Sequence, residues 1–363
     1  MSAPLLQVRD LRVTFSTPDG PLQAVRGVDL DLLPGTVMGV VGESGSGKSV
    51  TMLTVIGLTQ GAQVSGQALF EGRDLLSLPA AELRRIRGAR IAMVFQDPLS
   101  SLHPHYRVGW QIVEMIRAHQ PASRAEARRR AIELLAMVGI PQPERRVDDY
   151  PHQFSGGMRQ RVMIAMALAL HPRLLIADEP TTALDVTVQS QILDLLRRLQ
   201  AELGMAVIIV THDLGVIAEM AHRVLVMYAG QVVERAPRRT LYYRPHHPYT
   251  RGLLESLPAR AGPRGGPGPG HGGRGRLTPI PGQPPSLIQV PSGCPFHPRC
   301  PFTMEICRRE PPPLRPVDAG EEHESACWLP PEVVGLGAEA DGRRRAAAEA
   351  GRVRAGEGRW RPG

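Results

Sequence analysis

The sequence predicts an α/β fold, and three observations support this prediction. Short apolar segments of strand length alternate with amphipathic helical patterns along most of the chain. A glycine-rich loop joins one of these strands directly to a helix. A polar, arginine-rich block with helical periodicity interrupts the alternation between about residues 97 and 160. With 363 residues, the chain can hold one large domain and an appendage, or two domains.

The first elements read as strands. Leu6 to Phe15 shows partial alternation and β-branched content, and Ala24 to Leu33 follows after a turn that Gly20 and Pro21 predict. Another short strand is predicted from Val64 to Phe70. These segments precede or flank the glycine-rich loop.

The glycine-rich loop reads Gly42-Glu43-Ser44-Gly45-Ser46-Gly47-Lys48-Ser49 and fits the pattern G-x-x-x-x-G-K-[ST]. A buried strand is predicted before it, at residues 36–41, and a helix after it, at residues 50–57. Glycines let several backbone N–H groups point at one phosphate, and the helix N-terminus adds partial positive charge. Lys48 would reach the β- and γ-phosphates, and the Ser49 hydroxyl would hold Mg²⁺. We therefore predict a nucleotide-binding P-loop.

The remaining elements follow the same alternation. Within the helical block, Ala125 to Val138 has an amphipathic pattern. The other predicted elements are a brief helix at 83–87, a strand at 91–95, a helix from 155 to about 170, a strand at 174–177, a helix at 189–203, a strand at 207–210 with a helix after it, and a hairpin of strands at 224–228 and 231–234.

Polar residues at the ends of the later strands complete the predicted site. The strand at 174–177 ends in Asp178-Glu179, which would place one carboxylate on Mg²⁺ and a second beside an attacking water. His212 follows a later strand and could stabilise the γ-phosphate. Gln96 follows the strand at 91–95 and could reach the metal and the water. The predicted Mg²⁺ ligands are thus Ser49, Gln96 and Asp178.

The segment Phe154-Ser155-Gly156-Gly157-Met158 gives the family. It resembles the signature motif of ATP-binding cassette (ABC) ATPases, usually Leu-Ser-Gly-Gly-Gln, with Phe154 and Met158 as departures. Gln96 then matches the Q-loop, Pro180 to Asp185 the D-loop and His212 the switch histidine. Phe15 falls where the family places an aromatic ring that stacks on adenine. The resemblance spans about residues 5–258.

The resemblance implies a fold and an activity. The fold would be a RecA-like P-loop NTPase core with an antiparallel β subdomain and an α-helical insertion, and the activity would be ATP hydrolysis. Glu179, His212 and Gln96 would be catalytic. The residues implied to bind ATP in the same subunit are Phe15, Gly42, Glu43, Ser44, Gly45, Ser46, Gly47, Lys48, Ser49 and Val50. Ser155, Gly156, Gly157 and Met158 would complete the ATP site of a second subunit, with Asp185 in the D-loop.

All four cysteines, Cys294, Cys300, Cys307 and Cys327, lie close together in the sequence. Four thiolates suit a [4Fe–4S] cluster, whereas nearby His297 and His323 leave zinc open, and reduced structural cysteines are a third interpretation. The surrounding sequence resembles the C-terminal extension of ATPase subunits of dipeptide and oligopeptide importers, some of which hold such a cluster. The segments that carry this resemblance are residues 247–250, 280–285, 293–296 and 299–301.

This second resemblance implies an importer subunit. It would pair with a second, related ATPase, as a heterodimer, and dock under two membrane permease subunits, while an extracytoplasmic peptide-binding protein delivers the cargo. Its place would be peripheral, on the cytoplasmic face of the inner membrane. No apolar run approaches the ~18 residues of a membrane span, and no secretory signal is visible. A nickel-chelate importer and a soluble ABC ATPase, acting on ribosomes or DNA, are the alternatives.

The formal net charge of +8 is unevenly placed. Residues 259–276 and 343–363 contribute +4 and +5, which leaves the remainder near −1. We interpret these segments as solvated arms, with weak attraction to anionic lipid as an alternative, and expect no nucleic-acid partner. The predicted organisation is a nucleotide-binding domain at 1–258 with its insertion at about 97–160, a flexible linker at 259–276, a cysteine-containing extension at 277–335 and a disordered basic tail at 336–363.

Overall fold

The computed structural model describes residues 3–182, 184–257, 279–318 and 322–330. The strands are β1 (Leu6–Thr17), β2 (Gly20–Leu32), β3 (Val37–Val41), β4 (Ala62–Phe70), β5 (Arg73–Asp74), β6 (Ile91–Val94), β7 (Leu174–Asp178), β8 (Ala206–Thr211), β9 (Arg223–Tyr228), β10 (Gln231–Pro237), β11 (Arg315–Pro316) and β12 (Glu324–Ser325). The helices are α1 (Lys48–Val55), α2 (Ala80–Ile86), α3 (Pro98–Ser101), α4 (Val108–His119), α5 (Arg124–Met137), α6 (Pro143–Arg146), α7 (Gly156–Ala167), α8 (Val186–Leu203), α9 (Leu214–Met220), α10 (Arg238–Tyr243), α11 (Pro248–Glu255) and α12 (Glu305–Arg309).

A four-stranded antiparallel sheet has the order β2-β1-β4-β5. Strand β1 is central, and its Leu6 lies opposite Leu32 on one side and Phe70 on the other. Along β1, buried Leu6, Val8, Leu11 and Val13 form part of one apolar core. This sheet is the antiparallel subdomain that the family resemblance implied.

A second, larger sheet has the order β11-β12-β10-β9-β3-β8-β7-β6. Its central strands β9, β3, β8, β7 and β6 run parallel. Strands β3, β7 and β8 are buried along their whole length, as expected for parallel strands covered on both faces. Because parallel strands end at one edge of the sheet, the loops after β3, β6, β7 and β8 meet there. The predicted α/β class and P-loop core are confirmed.

The chain segment that connects β6 to β7 is helical. Helices α4 and α5 pack on α7, and buried Ile112, Leu134 and Val162 join the apolar core beneath the large sheet. Helix α5 begins with a capping box, in which Ser123 accepts from the Glu126 N–H and the Glu126 carboxylate accepts from the Ser123 N–H. The helical block is therefore packed around α7, which also contacts β6 of the large sheet.

Several predicted boundaries differ from the structure. Helix α1 begins at Lys48 rather than Val50, because Gly47 is already its N-cap. The turn predicted at Gly20 and Pro21 is wrong, since Gly20 is the first residue of β2 and the turn lies at residues 18 and 19. The predicted linker and basic tail lie outside the described residues.

The cysteine-containing extension has more regular structure than its sequence predicted. Helix α12 carries Cys307, and β12 adds to the large sheet by pairing with β10. In that pairing Glu234 lies opposite Ser325, and Arg235 opposite Glu324. Helices α10 and α11, which were not predicted, lead from β10 toward this extension.

Candidate active site

The P-loop has the predicted strand–loop–helix geometry. Strand β3 ends at Val41, and α1 starts at Lys48 with Gly47 in a left-handed conformation, at a φ of 95°. A Cβ atom on Gly47 would lie 2.4 Å from the carbonyl oxygen of Ala24 on β2. Only glycine fits this position, both for its backbone angle and for the close approach of β2. The N-terminus of α1, with its free backbone N–H groups, therefore lies at the end of the loop, where both could bind an anion.

The only cationic side chain within the loop, Lys48, is buried at its centre. Its Nζ donates to the carbonyl oxygens of Gly42 and Glu43 at 2.8 and 2.9 Å, and lies 3.4 Å from Ser46 Oγ. Burial lowers the pKa of Lys48, while the nearby carboxylates of Glu179 and Asp178 oppose that shift. The ammonium group is thus held over the loop, where a phosphate group would meet it.

The predicted metal ligands are drawn together. Ser49 Oγ donates to Asp178 Oδ1 at 2.9 Å, which joins the first turn of α1 to the end of β7. Asp178 is buried, and this burial raises the pKa of its carboxyl group. A hydroxyl and a carboxylate at this distance form an oxygen-rich pair of the kind that Mg²⁺ prefers.

Glu179 is the centre of the second half of the site. Its Oε2 accepts hydrogen bonds from Gln96 Nε2 at 2.9 Å and from Thr182 Oγ1 at 2.8 Å. Its Oε1 lies 3.2 Å from His212 Nδ1. These contacts bring together the ends of β6, β7 and β8, as the sequence predicted for Gln96, Glu179 and His212.

The surroundings of Glu179 favour its ionised form. Burial acts to raise the pKa of Glu179, but hydrogen bonds from Thr182 and His212, with the charge of Lys48, outweigh it and lower the pKa overall. The carboxylate is therefore ionised at neutral pH. An ionised carboxylate beside a phosphate site can orient a water molecule and accept its proton.

The signature segment forms the start of α7. Ser155 is the N-cap of this helix, and its Oγ accepts from the Met158 N–H at 3.3 Å. Asp185 caps α8 in the same way through the Val188 N–H, at 3.0 Å. Gln96, Glu179, Thr182 and His212 form what we call the Glu179 cluster. Within the described ranges, no polar contact joins Ser155, Met158 or Asp185 to this cluster. Phe15 lies on β1 and is half-buried. The roles of the signature segment, Asp185 and Phe15 toward ATP remain predictions.

Three residues that matter to the site were not singled out from the sequence. Thr182 lies within the predicted D-loop, and its hydroxyl three positions after Glu179 was a detectable signal. Tyr249 and Arg299 contact Glu43 from distant parts of the chain. No local pattern identifies such long-range partners.

The four cysteines line one pocket, which we call the cysteine pocket, and all are free thiols. Burial raises the pKa of Cys294 to about 11 and that of Cys327 to about 12, and it also raises the pKa of Cys300. Backbone N–H groups of Phe296 and Leu329 donate to Cys294 and Cys327. Across the described residues, no group of three or more His, Cys, Asp or Glu side chains is arranged to hold a metal ion.

Two family models match the chain. The model described as "ABC transporter" matches residues 25–182, which contain the P-loop, Gln96, the signature segment and Glu179. The model described as "Oligopeptide/dipeptide transporter, C-terminal region" matches residues 233–307. The two matches correspond to the two resemblances found in the sequence.

Similar proteins cover almost the whole chain. The oligopeptide transport ATP-binding protein OppD of Salmonella typhimurium is 49% identical over 329 residues, which are 90% of this chain and 94% of that protein. The dipeptide transport ATP-binding protein DppD of Bacillus subtilis is 48% identical over 328 residues, again 90% and 94%. Among solved structures, a dimeric post-hydrolysis state of the ATP-binding cassette MJ0796 bound to ADP and Pi has a TM-score of 0.59 and 30% identity, and covers 64% of this chain and 99% of that one. The P-loop, the Glu179 cluster and these matches together show that the chain belongs to the ABC transporter family of ATPases, in the group that carries the oligopeptide/dipeptide transporter C-terminal region.

Proposed function

We propose that this chain hydrolyses ATP to energise peptide import through a membrane ABC transporter. The observation that carries the proposal is the position of an ionised Glu179 carboxylate beside the Ser49–Asp178 pair and the Lys48 ammonium. Curated relatives over most of the chain are oligopeptide and dipeptide transport ATP-binding proteins, which supports peptides as the cargo. A nickel chelate is the alternative cargo.

The proposed chemistry assigns one role to each group. Backbone N–H groups of residues 42–49 and Lys48 bind the β- and γ-phosphates and neutralise the charge that develops on them. Ser49, Asp178 and Gln96 would hold Mg²⁺, which would supply positive charge to stabilise the negative phosphate oxygens. Glu179 accepts a proton from the attacking water while His212 donates toward the γ-phosphate. Thr182 and Gln96 hold the Glu179 carboxylate in place for this step.

A second ATPase subunit completes each site in this proposal. Ser155, Gly156 and Gly157 at the start of α7 present backbone N–H groups and a hydroxyl to the nucleotide bound by the partner, with Asp185 at the same interface. A similar cassette has been solved as a dimer, which supports such pairing. We propose a related but distinct ATPase as the partner.

A groove beside the helical block is the proposed docking site for a permease. It encloses about 480 Å³ and is lined largely by apolar side chains, among them Leu58, Met93, Phe95, Met115 and Met163. Phe95 precedes Gln96, so a permease segment bound in the groove would lie close to the Glu179 cluster. Flexible Met side chains suit a surface that adapts to a partner helix.

The membrane arrangement follows from this docking. In the part of the chain that the structure describes, no helix is long and apolar enough to cross a membrane. We propose peripheral attachment to two permease subunits at the cytoplasmic face of the inner membrane, with an extracytoplasmic peptide-binding protein delivering cargo. Residues 1–258 would be the nucleotide-binding domain with its insertion at about 97–160, and residues 277–335 the extension.

The cysteine pocket is proposed to hold a [4Fe–4S] cluster. The support is that all four cysteines line one pocket and that four thiolates are the ligand set of such a cluster, although the thiols are not arranged to hold a metal ion in the described residues. Anaerobic purification followed by iron and sulfide assays tests this, because colourless protein without either element would contradict it. Zinc in the same assay, or no metal, would favour the other two interpretations.

The proposed function is tested by replacing the Glu179 carboxylate with an amide. Glu179→Gln should still bind ATP but lower its hydrolysis by at least about 100-fold, because the general base is removed. ATP turnover and peptide uptake are measured in vesicles that contain the permease subunits, the partner ATPase and the binding protein. Glu202→Gln, an exposed change on α8, is the control and should behave as wild type. Undiminished turnover in Glu179→Gln would contradict the assignment.

A further inference from the structure

One side chain of the C-terminal extension reaches the phosphate-binding loop. Arg299 Nη1 and Nη2 donate to the two carboxylate oxygens of Glu43 at 2.6 and 2.9 Å. These parallel bonds are the bidentate geometry of a strong guanidinium–carboxylate pair. The Arg299 side chain is only 5% exposed and that of Glu43 26% exposed. Because 256 residues separate them, this pair is a tertiary link between the extension and the P-loop.

The guanidinium of Arg299 is fixed on its other sides. Its Nε donates to the carbonyl oxygen of Pro281 at 2.9 Å, and Nη1 lies 3.4 Å from Tyr228 Oη. The group also lies 5.8 and 5.9 Å from the ring centroids of Tyr228 and Phe296. These contacts hold the Arg299 side chain in one conformation before a nucleotide binds. Nucleotide binding therefore costs no further conformational entropy of this side chain.

Glu43 is held from outside the loop a second time. Its backbone N–H donates to the hydroxyl of Tyr249, a fully buried residue of α11, at 2.8 Å. Its carbonyl oxygen accepts from Lys48 Nζ at 2.9 Å. The orientation of Glu43 therefore sets one of the two carbonyl oxygens that hold the lysine ammonium.

The negative charge of Glu43 affects how the P-loop would bind ATP. Its carboxylate is a negative charge in a loop that receives a triphosphate, and like charges in a partly buried site repel strongly. Arg299 neutralises that charge through two hydrogen bonds. We propose that Arg299 is a positioning residue for ATP binding, through which the C-terminal extension sets the affinity of the P-loop. The inference rests on the proposed ATPase function of this site.

The first test measures nucleotide affinity in the full chain. Arg299→Ala should raise the Kd of a fluorescent ATP analogue, with Mg²⁺ present, by about 10-fold, since it leaves a carboxylate unpaired beside the phosphates. Arg299→Lys keeps the positive charge but not the bidentate geometry, so its Kd should lie between those of wild type and Arg299→Ala. The control is Arg309→Ala, which breaks an exposed Arg–Glu pair within the same extension and should bind as wild type. Arg299→Ala that binds as wild type would overturn the proposal.

A second variant separates positioning from plain loss of structure. Adding Glu43→Gln to Arg299→Ala removes the unpaired charge, so the double variant should bind the analogue at least about three-fold more tightly than Arg299→Ala alone. If Arg299 served only to stabilise the fold, the double variant would bind the analogue as weakly as Arg299→Ala or more weakly. That result would contradict the proposed positioning role. Should Arg299→Ala not fold, the same comparison is made between Arg299→Lys and Arg299→Lys with Glu43→Gln. A wild-type chain that does not bind the analogue would instead contradict the proposed function.

Discussion

Glu179, the proposed general base, shows how the fold positions a single side chain. It has a left-handed backbone conformation, at a φ of 47°, which costs a non-glycine residue about 1 kcal/mol or more. The backbone N–H of Glu179 still donates to the Val210 carbonyl oxygen at 2.8 Å, which fixes the turn after β7. The conformation aims the carboxylate at the donors Gln96, Thr182 and His212. The surrounding sheet stabilises this strained geometry.

A change at Thr182 should shift the pH dependence of catalysis. The hydroxyl of Thr182 stabilises the charged form of Glu179, so Thr182→Val should raise the pKa of that carboxyl group. Activity that depends on ionised Glu179 is then lost at a higher pH when the solution is acidified. The rate of ATP hydrolysis at saturating ATP, followed from pH 8 downward, should show its acidic limb moved upward relative to wild type. Superimposable limbs would show that Thr182 does not control this ionisation.

At the scale of elements, the P-loop strand and helix could be predicted because a fixed motif lies between apolar segments of the right length. Strand β12 could not, because it spans only Glu324–Ser325 and its partner β10 lies far away in the chain. Helix α12 has only five residues, too few for a periodic pattern. Helix α11 begins at Pro248, with His247 as its N-cap. Residues 247–250 contributed to the family resemblance, but no helix was predicted there.

His247 at the N-cap of α11 predicts a pH-dependent stability. Its Nδ1 accepts from the Tyr249 N–H at 3.1 Å, and burial lowers its pKa to about 4. Between that value and ~6.5, the usual histidine pKa, the unfolded chain binds more protons than the folded chain. Stability from this group is therefore complete above ~6.5 and falls by about 3 kcal/mol as the pH drops to 4.

The matching variant is His247→Asn, whose amide oxygen can cap the same N–H without titrating. Free energies of unfolding from urea titrations at pH 4 to 7.5 should decline less steeply for this variant than for wild type. Parallel profiles would mean that another group carries the pH dependence.

At the scale of the whole molecule, the extension is joined to the nucleotide-binding core at buried polar contacts. Glu234 on β10 is 0% exposed and lies 2.7 Å from Nε2 of His323, while it also accepts the N–H groups of His246 and His247. The sequence predicted that Gln96, Glu179 and His212 each follow a strand, and the structure brings these three side chains into contact. It did not predict this junction or the Arg299–Glu43 pair, because both depend on how distant segments dock.

Removing the buried histidine should loosen this junction. His323→Ala leaves Glu234 Oε1 without its side-chain partner, at a cost of about 2 kcal/mol. The midpoint of urea unfolding should fall accordingly, whereas His152→Ala, an exposed change, should leave it unaltered. An unchanged midpoint in His323→Ala would show that the extension does not depend on this contact.

The most direct test of the account is a cryo-EM map of the full transporter assembly that carries Glu179→Gln, prepared with ATP and Mg²⁺. We predict the triphosphate of this chain's site between its own Lys48 and the Ser-Gly-Gly segment of the partner ATPase. We likewise predict Ser155, Gly156 and Gly157 of this chain against the nucleotide of that partner. ATP bound by one subunit alone, with the signature segments turned away from both nucleotides, would contradict the account.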